Sequence, residues 1–389
     1  MPTPTTPPIT LKLSALLTTF IHLPFHTVFQ DCLDSGYPDS SGSYVPVFSF
    51  LIEHPSEGKV LFDLGVRKNA EGYPPHFNVP RVSQSRAGVS AKKDVAELLV
   101  EGGIDPKEIK HVIYSHLHWD HTGNPGPFVN ADIVVGGEAR SILDVQTRKP
   151  SMVVDEESNS KEEEETKTWV YPTNPLGTVL EFPRSMPVRF VDFVRKPDVE
   201  DEDEDEKTSD LDLVKQRVIS PFMTFTHAVD FFDDGSLFLV DTPGHYPGHI
   251  SALVRVSPSD SGSELTSTRN TLSGVYVFLG GDCCHNRQCY VPGGTREMSG
   301  KIQWDVGKAR ESVGRLRMLC EVCQGRRRGF PADGGGAGRQ NDDTGECVCD
   351  VVVILAHEAE RLEEGMPLFP QDLREWVVHR ARKERVRGG

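Results

Sequence analysis

At 389 residues and 37% apolar content, the chain is long enough to bury a sizeable core. Asp and Glu number 58 against 42 Lys and Arg, a formal net charge of −16, and the absence of a broad basic stripe argues against nucleic acid as a partner. Much of the acid lies in two stretches, approximately 155–167 and 197–210, which repel themselves, bury nothing and read as disordered surface insertions.

In chain order, Met1–Ile9 is rich in Pro and Thr and reads as loose, after which Leu11, Leu13 and Ala15 alternate with polar neighbours as in a strand. Val47–Ile52 and Lys59–Phe62 predict a hairpin. Ala91–Leu99 reads as a helix with Val95, Leu98 and Leu99 on one face, followed by a strand at His111–Tyr114. Ile133–Val135 reads as a strand and Glu138–Val145 as a helix. Phe222–Phe232 and Leu237–Val240, separated by Asp233-Asp234-Gly235, form a predicted hairpin. Ala309, Val313, Leu316 and Cys320 keep helical spacing. The stretch 324–346 holds Arg326-Arg327-Arg328 and Gly334-Gly335-Gly336 without apolar periodicity and reads as a flexible loop. A strand at Val351–Leu355 and a helix near Leu373–Val377, running into a basic tail from Arg380 to Arg387, complete the chain. Hairpins early and alternating strands and helices later suit an α/β protein built as a four-layer αββα sandwich.

Four short apolar runs end on residues able to bind a metal. The first leads into Ser115-His116-Leu117-His118-Trp119-Asp120-His121; the others lead to His245, Asp282 and His357. In an extended or turning segment His116 and His118 project to one side, while Asp120 and His121 follow within a tight turn. Together, His116, His118, Asp120, His121, His245, Asp282 and His357 supply five imidazoles and two carboxylates, too many for one four-coordinate zinc and suited to two. Since these residues are scattered from His116 to His357, they must converge in one domain, taken as 1–389.

The Ser115–His121 cluster, Thr242-Pro243-Gly244-His245-Tyr246-Pro247-Gly248-His249, Gly281-Asp282, His357 and the earlier Leu61-Phe62-Asp63-Leu64-Gly65 together resemble the metallo-β-lactamase-fold superfamily, most of all its lactonase-type branch, the acyl-homoserine lactone hydrolases and related fungal proteins. That resemblance implies the αββα fold and two Zn2+ per chain, one held by His116, His118 and His245, the other by Asp120, His121 and His357, with Asp282 bridging. It also implies a hydrolase that opens a lactone or related carboxylic ester by attack of a metal-bridging hydroxide, with Asp120 relaying a proton to the leaving alkoxide. Lactonases of this type carry a Tyr shortly after the bridging Asp. Here His285 stands at that offset, either donating to the substrate in its place or packing beside the site.

The same resemblance leaves rivals: a thioesterase similar to glyoxalase II, a β-lactam hydrolase, or a mononuclear iron enzyme of the persulfide dioxygenase kind. Trp119 reads as a packing residue in preference to a pocket wall, Asp63 as a residue that orients a ligand His or caps a turn, and His249 as a group beneath the site. Cys320, Cys323, Cys347 and Cys349 are better explained as buried thiols than as a separate zinc site. The eight Cys lack regular spacing, Leu11–Phe25 lacks the features of a signal peptide, and no run approaches the ~20 apolar residues of a spanning helix, so the expectation is a cytoplasmic chain acting on a small molecule.

Overall fold

The computed structural model describes residues 8–68, 91–141, 144–146, 166–170, 180–183, 187–193, 218–258, 272–323 and 348–388. Strands β1 (Lys12–Pro24) and β2 (Gly42–His54), separated by the short helices α1 (Phe25–Val28) and α2 (Gln30–Asp34), form a long antiparallel ladder, which β3 (Gly58–Phe62) extends on one side. Beyond β3 the pairing turns parallel through β4 (Ile109–Ile113) and β5 (Asp132–Gly136). A short strand at the far edge, Val188–Val191, completes six strands.

The switch from antiparallel to parallel needs a crossover, and the helix α3 (Val95–Glu101) lies on it. Asp94 caps that helix by accepting from Glu97 N at 2.9 Å while Glu97 returns to Asp94 N at 3.2 Å. Its Val95 and Leu99 pack onto Leu51, Leu61 and Val112, which face outward from the first sheet.

A separate three-stranded sheet holds β6 (Asp144–Gln146), β7 (Thr166–Val170) and β8 (Leu180–Pro183). Two other elements stand where a helix was expected over Glu138–Val145. A 3-10 turn covers Gly137–Ser141, and Asp144–Gln146 instead pairs antiparallel with Thr168–Val170. Three residues of strand take their identity from a distant partner, which local periodicity does not reveal. Strand β7 also takes in the end of the acidic stretch expected to be disordered up to 167.

β9 (Val188–Val191) closes the first sheet beside β5. The second six-stranded sheet runs β10 (Val218–Ile219), β11 (Ala228–Asp230), β12 (Leu237–Asp241), β13 (Ile250–Ser257), β14 (Ser273–Leu279) and β15 (Val348–Ile354), antiparallel except for the parallel β14–β15 pair. The hairpin expected from Phe222 forms only over its last three strand residues, because Phe222 and Phe225 close a tight turn on each other.

One core lies between the sheets and joins Phe48, Phe50 and Phe62 of the first to Leu239, Val277 and Ile354 of the second. A second core lies on the far face of the second sheet under α5 (Val306–Cys323), where Ala309, Val313, Leu316 and Cys320 point inward. Two sheets face to face with α3 and α5 outside them make the αββα arrangement. After the single-turn α6 (Glu360–Glu363), the last helix, α7 (Arg374–Gly388), departs from a simple outer layer. Leu373, Val377 and Ala381 join the inter-sheet core, and Leu373 N donates to Leu13 O at 2.8 Å, so this helix fills one side of the sandwich.

Cys320 and Cys349 are buried in the α5 core, and no metal-binding group among the described residues includes them; Cys347 lies outside those residues. Of the expected disordered insertions, 197–210 and 324–346 also fall outside, as does most of 155–167.

Candidate metal centre

β12, β14 and β15 run in the same direction and end at one edge of the second sheet, where their loops carry His245, Asp282 and His357. β4 ends at the facing edge of the first sheet and turns through Ser115, His116 and His118 into the single-turn helix α4 (Trp119–Thr122). Ser115 O accepts from Ile250 N at 2.8 Å and Ala356 O from Phe48 N at 3.1 Å, so backbone bonds join the two sheets at this edge. Gly281 sits at φ +54, and a Cβ there would lie 2.8 Å from Ser115 Cβ and 3.0 Å from His249 Nε2. Only glycine lets the loop bearing Asp282 approach the loop bearing His116 this closely.

All seven side chains are buried: six are at most 6% exposed, and His118 reaches only 9%. They fall into two groups: His116, His118, His245 and Asp282, then Asp120, His121 and His357, with donor atoms in each group within 4.8 Å of one another. In the first, His118 Nδ1 lies 2.9 Å from His116 Nε2 and 3.0 Å from His245 Nε2. In the second, Asp120 Oδ2 is 3.5 Å from His357 Nε2 and Oδ1 is 3.9 Å from His121 Nε2. Asp282 reaches both groups with separate oxygens. Its Oδ2 lies 3.5 Å from His245 Nε2 and 3.9 Å from His116 Nε2, while Oδ1 lies 3.4 Å from His121 Nε2 and 3.3 Å from His357 Nε2.

The outer nitrogens of these rings are held by acceptors. His357 Nδ1 donates to Pro46 O at 2.9 Å, His121 Nδ1 to Asp63 Oδ2 at 2.8 Å, and His245 Nδ1 to Gln303 Oε1 at 3.0 Å. A proton on Nδ1 leaves the Nε2 lone pair facing inward, the tautomer a metal needs. Asp63 also accepts from Ser115 N and Ser115 Oγ, both at 2.7 Å, and it adopts φ +61, a conformation Asp tolerates better than most residues. His249 lies beneath: its Nδ1 donates to Thr242 O at 3.0 Å and its Nε2 accepts from Asp282 N at 3.1 Å, which fixes the Asp282 backbone. Trp119 is half-buried and packs on the cluster of Ile21, Val45, Val47, Val66 and Ala91.

Electrostatics separates the two groups. Burial, reinforced by the neighbouring imidazoles, holds His116 and His245 well below the usual histidine range and brings His118 to about 4. Burial also opposes charge on His121 and His357, but Asp282, Asp63 and Asp120 overcome it at His121, raising that ring well above its usual range, and Asp282 and Asp120 overcome it at His357, raising that ring to about 10. Burial pushes Asp282 up, yet His357, His121 and His285 hold it well below the ordinary carboxylate value. His121 Nε2, His357 Nε2 and Asp282 Oδ1 are buried with no hydrogen-bond partner. Converging lone pairs and orphaned donor atoms beside an ionised carboxylate fit a divalent cation, which would take the place of the protons on the second group.

His285 was the other catalytic candidate, and its Nε2 stands 3.1 Å from Asp282 Oδ2 while its ring stacks at 8° to that of His357. Gln303 and the Pro46 carbonyl were not anticipated. Neither carries a sequence signal, because a lone amide and a backbone oxygen acquire their roles only from the fold.

Two facing sheets that deliver buried His and Asp donors from four strand ends define a metal-site αββα protein. The chain belongs to the metallo-beta-lactamase superfamily, whose model matches residues 43–257. It is 28% identical over 276 residues to a metallo-hydrolase, mfmC, of Annulohypoxylon moriforme, covering 69% of this chain and 55% of that one. It is also 28% identical over 266 residues to the gamma-lactamase FDB1 of Fusarium pseudograminearum, covering 66% of this chain and 49% of that one. The chain thus spans about half the length of these curated relatives. A solved N-acyl homoserine lactone hydrolase, with the product N-hexanoyl-L-homoserine at its catalytic metal center, shares the fold at a TM-score of 0.50 and 18% identity, over 94% of this chain and 99% of that one. No helix among the described residues is long and apolar enough to cross a membrane.

Proposed function

We propose that this chain is a dinuclear zinc hydrolase that opens a lactone or a related carboxylic ester. The observation that carries the reading is Asp282, whose Oδ2 faces His116 and His245 while its Oδ1 faces His121 and His357. In this reading His116, His118 and His245 hold one ion, Asp120, His121 and His357 the other, and Asp282 both. A pair of divalent cations there supplies a Lewis acid for a carbonyl oxygen and lowers the pKa of water towards neutrality.

The chain's own residues do the remainder. Asp120, held ionised by His121 and His357, would take the proton released by the attacking water and hand it to the leaving alkoxide. His285, with Nε2 on Asp282 and Nδ1 buried without a partner, has one N–H to offer a substrate oxygen when the ring is protonated. The phenol nearest after Asp282, Tyr290, donates to Glu358 and is not available for that task. The ligand loops come from both sheets and from most of the chain's length, which supports reading 1–389 as one domain.

A second reading, hydrolysis of a cyclic amide, is favoured by the gamma-lactamase relative. The test is metal analysis together with a panel of lactones, lactams, thioesters and persulfides. About two zinc per chain with fastest turnover of a lactone supports the first reading. Fastest turnover of a lactam selects the second, and one iron per chain with oxygen uptake overturns both.

A further inference from the structure

A buried ionic cluster lies behind the second donor group. Glu358 follows His357 directly; its Oε1 accepts from Tyr290 Oη at 3.0 Å and its Oε2 from Leu355 N at 3.1 Å. Arg361 Nε pairs with Glu358 Oε1 at 3.0 Å, and Arg361 also donates to Val353 O at the end of β15. Tyr290, Glu358 and Arg361 are each 1% exposed. From this centre the contacts spread outward. Arg361 Nη1 reaches Glu364 Oε2 at 3.0 Å, Arg287 Nη1 reaches Glu364 Oε1 at 2.8 Å, and Arg380 Nε of α7 reaches Glu384 Oε1 at 2.7 Å.

These residues come from three segments: the loop after Asp282 and His285, the loop after His357, and the last helix. Within the cluster, the Tyr290–Glu358 hydrogen bond joins the first two directly. Burying so many charges is costly, and apolar side chains of like volume would stabilise the fold as well or better. What an ionic cluster adds is fixed geometry between the segments it links. The separation at stake here is the 3.3 Å between His357 Nε2, a donor of the second group, and Asp282 Oδ1, the oxygen that faces that group.

We propose that Tyr290 and Glu358 are positioning residues for the second metal, holding the Asp282 loop and the His357 loop at the spacing that lets both side chains bind one ion. This rests on the two-ion reading above. The test is titration of the metal-free full chain with Co2+, followed by visible absorbance and calorimetry, in the wild type, Tyr290→Phe and Glu358→Gln. His357→Ala identifies which binding step belongs to the second site. Tyr290→Phe keeps the ring and removes only the hydroxyl, so it reports on the link even where Glu358→Gln fails to fold.

The expected result is a second-site affinity about tenfold weaker in Tyr290→Phe with the first site within about twofold of wild type, in the range seen when groups behind metal ligands are changed. A lower melting temperature of the metal-free chain with both Co2+ affinities unchanged assigns the pair a purely structural role and overturns the proposal. Equal weakening of both sites also overturns it. A wild-type chain that binds one Co2+ overturns the two-ion reading and this inference with it, whereas two ions and an unaltered Tyr290→Phe overturn this inference alone.

Discussion

Asp63 offers the sharpest perturbation of the site, because its carboxylate collects three donors: Ser115 N and Ser115 Oγ at 2.7 Å and His121 Nδ1 at 2.8 Å. In Asp63→Asn, the remaining carbonyl oxygen can still accept from Ser115 N, and Asn tolerates the φ of +61 as well as Asp does. The amide NH2 then faces His121 Nδ1, which can no longer give its proton there. Two outcomes are open to the ring. Keeping the Nδ1 proton leaves a buried donor unpaired, at about 1–3 kcal/mol. Moving it to Nε2 pairs Nδ1 with the amide but blocks the atom that faces Asp282.

Either way the second ion is bound more weakly, by about 10–100-fold, while the first group, which Asp63 reaches only through Ser115 Oγ and its 3.1 Å contact with His116 Nδ1, changes less. Asp63→Ala removes acceptors from all three donors and is expected to lower the stability of the metal-free chain by at least about 3 kcal/mol on the same reasoning. Zinc competition against a chromophoric chelator reads the first effect, and urea unfolding of the metal-free chain reads the second. If Asp63→Asn binds two zinc ions with wild-type affinities, the assignment of Asp63 as the residue that fixes the His121 tautomer is wrong.

The first donor group has its own support in Gln303, so Gln303→Ala is expected to weaken the ion held by His245 about tenfold, and Gln303→Glu, which keeps an acceptor for His245 Nδ1, to restore it; the same competition assay decides. A pH effect is expected away from the metals. Burial lifts Asp230 to about 6, so its folded pKa stands above its unfolded value; its contribution is favourable at low pH and is lost as pH rises through about 4 to 6. Asp230→Asn, whose side-chain oxygen can still accept from Gly235 N, should therefore gain stability relative to wild type between pH 4 and pH 7 in urea melts, and a constant difference would contradict the assignment.

The donor cluster was legible in the sequence because an apolar run ends directly on residues able to bind a metal, and His116, His118, Asp120 and His121 lie within six residues. The sheets were legible where alternation or continuous apolar runs were long, as in Val47–Ile52 and Val351–Leu355. Legibility failed where partners lie far apart in the chain. Asp144–Gln146 becomes strand only through Thr168–Val170, and Gln303 gains a purpose only once His245 stands beside it, 58 residues away in sequence. Among the described side chains of the basic stretch from Arg380, Arg382, Lys383 and Arg385 are exposed as such a composition suggests, but Arg380 itself is 6% exposed and engaged with Glu364 and Glu384, which composition alone cannot indicate.

The candidate ligands come from the rims of two different sheets, and that has a bearing on how the protein lasts in a cell. Any cation seated among them acts as a clasp between the halves of the sandwich, so folded lifetime depends on metal supply. Free ion at one hundred times its dissociation constant would contribute about 2.7 kcal/mol per site. Scarcity would then thin the population of intact molecules before it slowed any one of them.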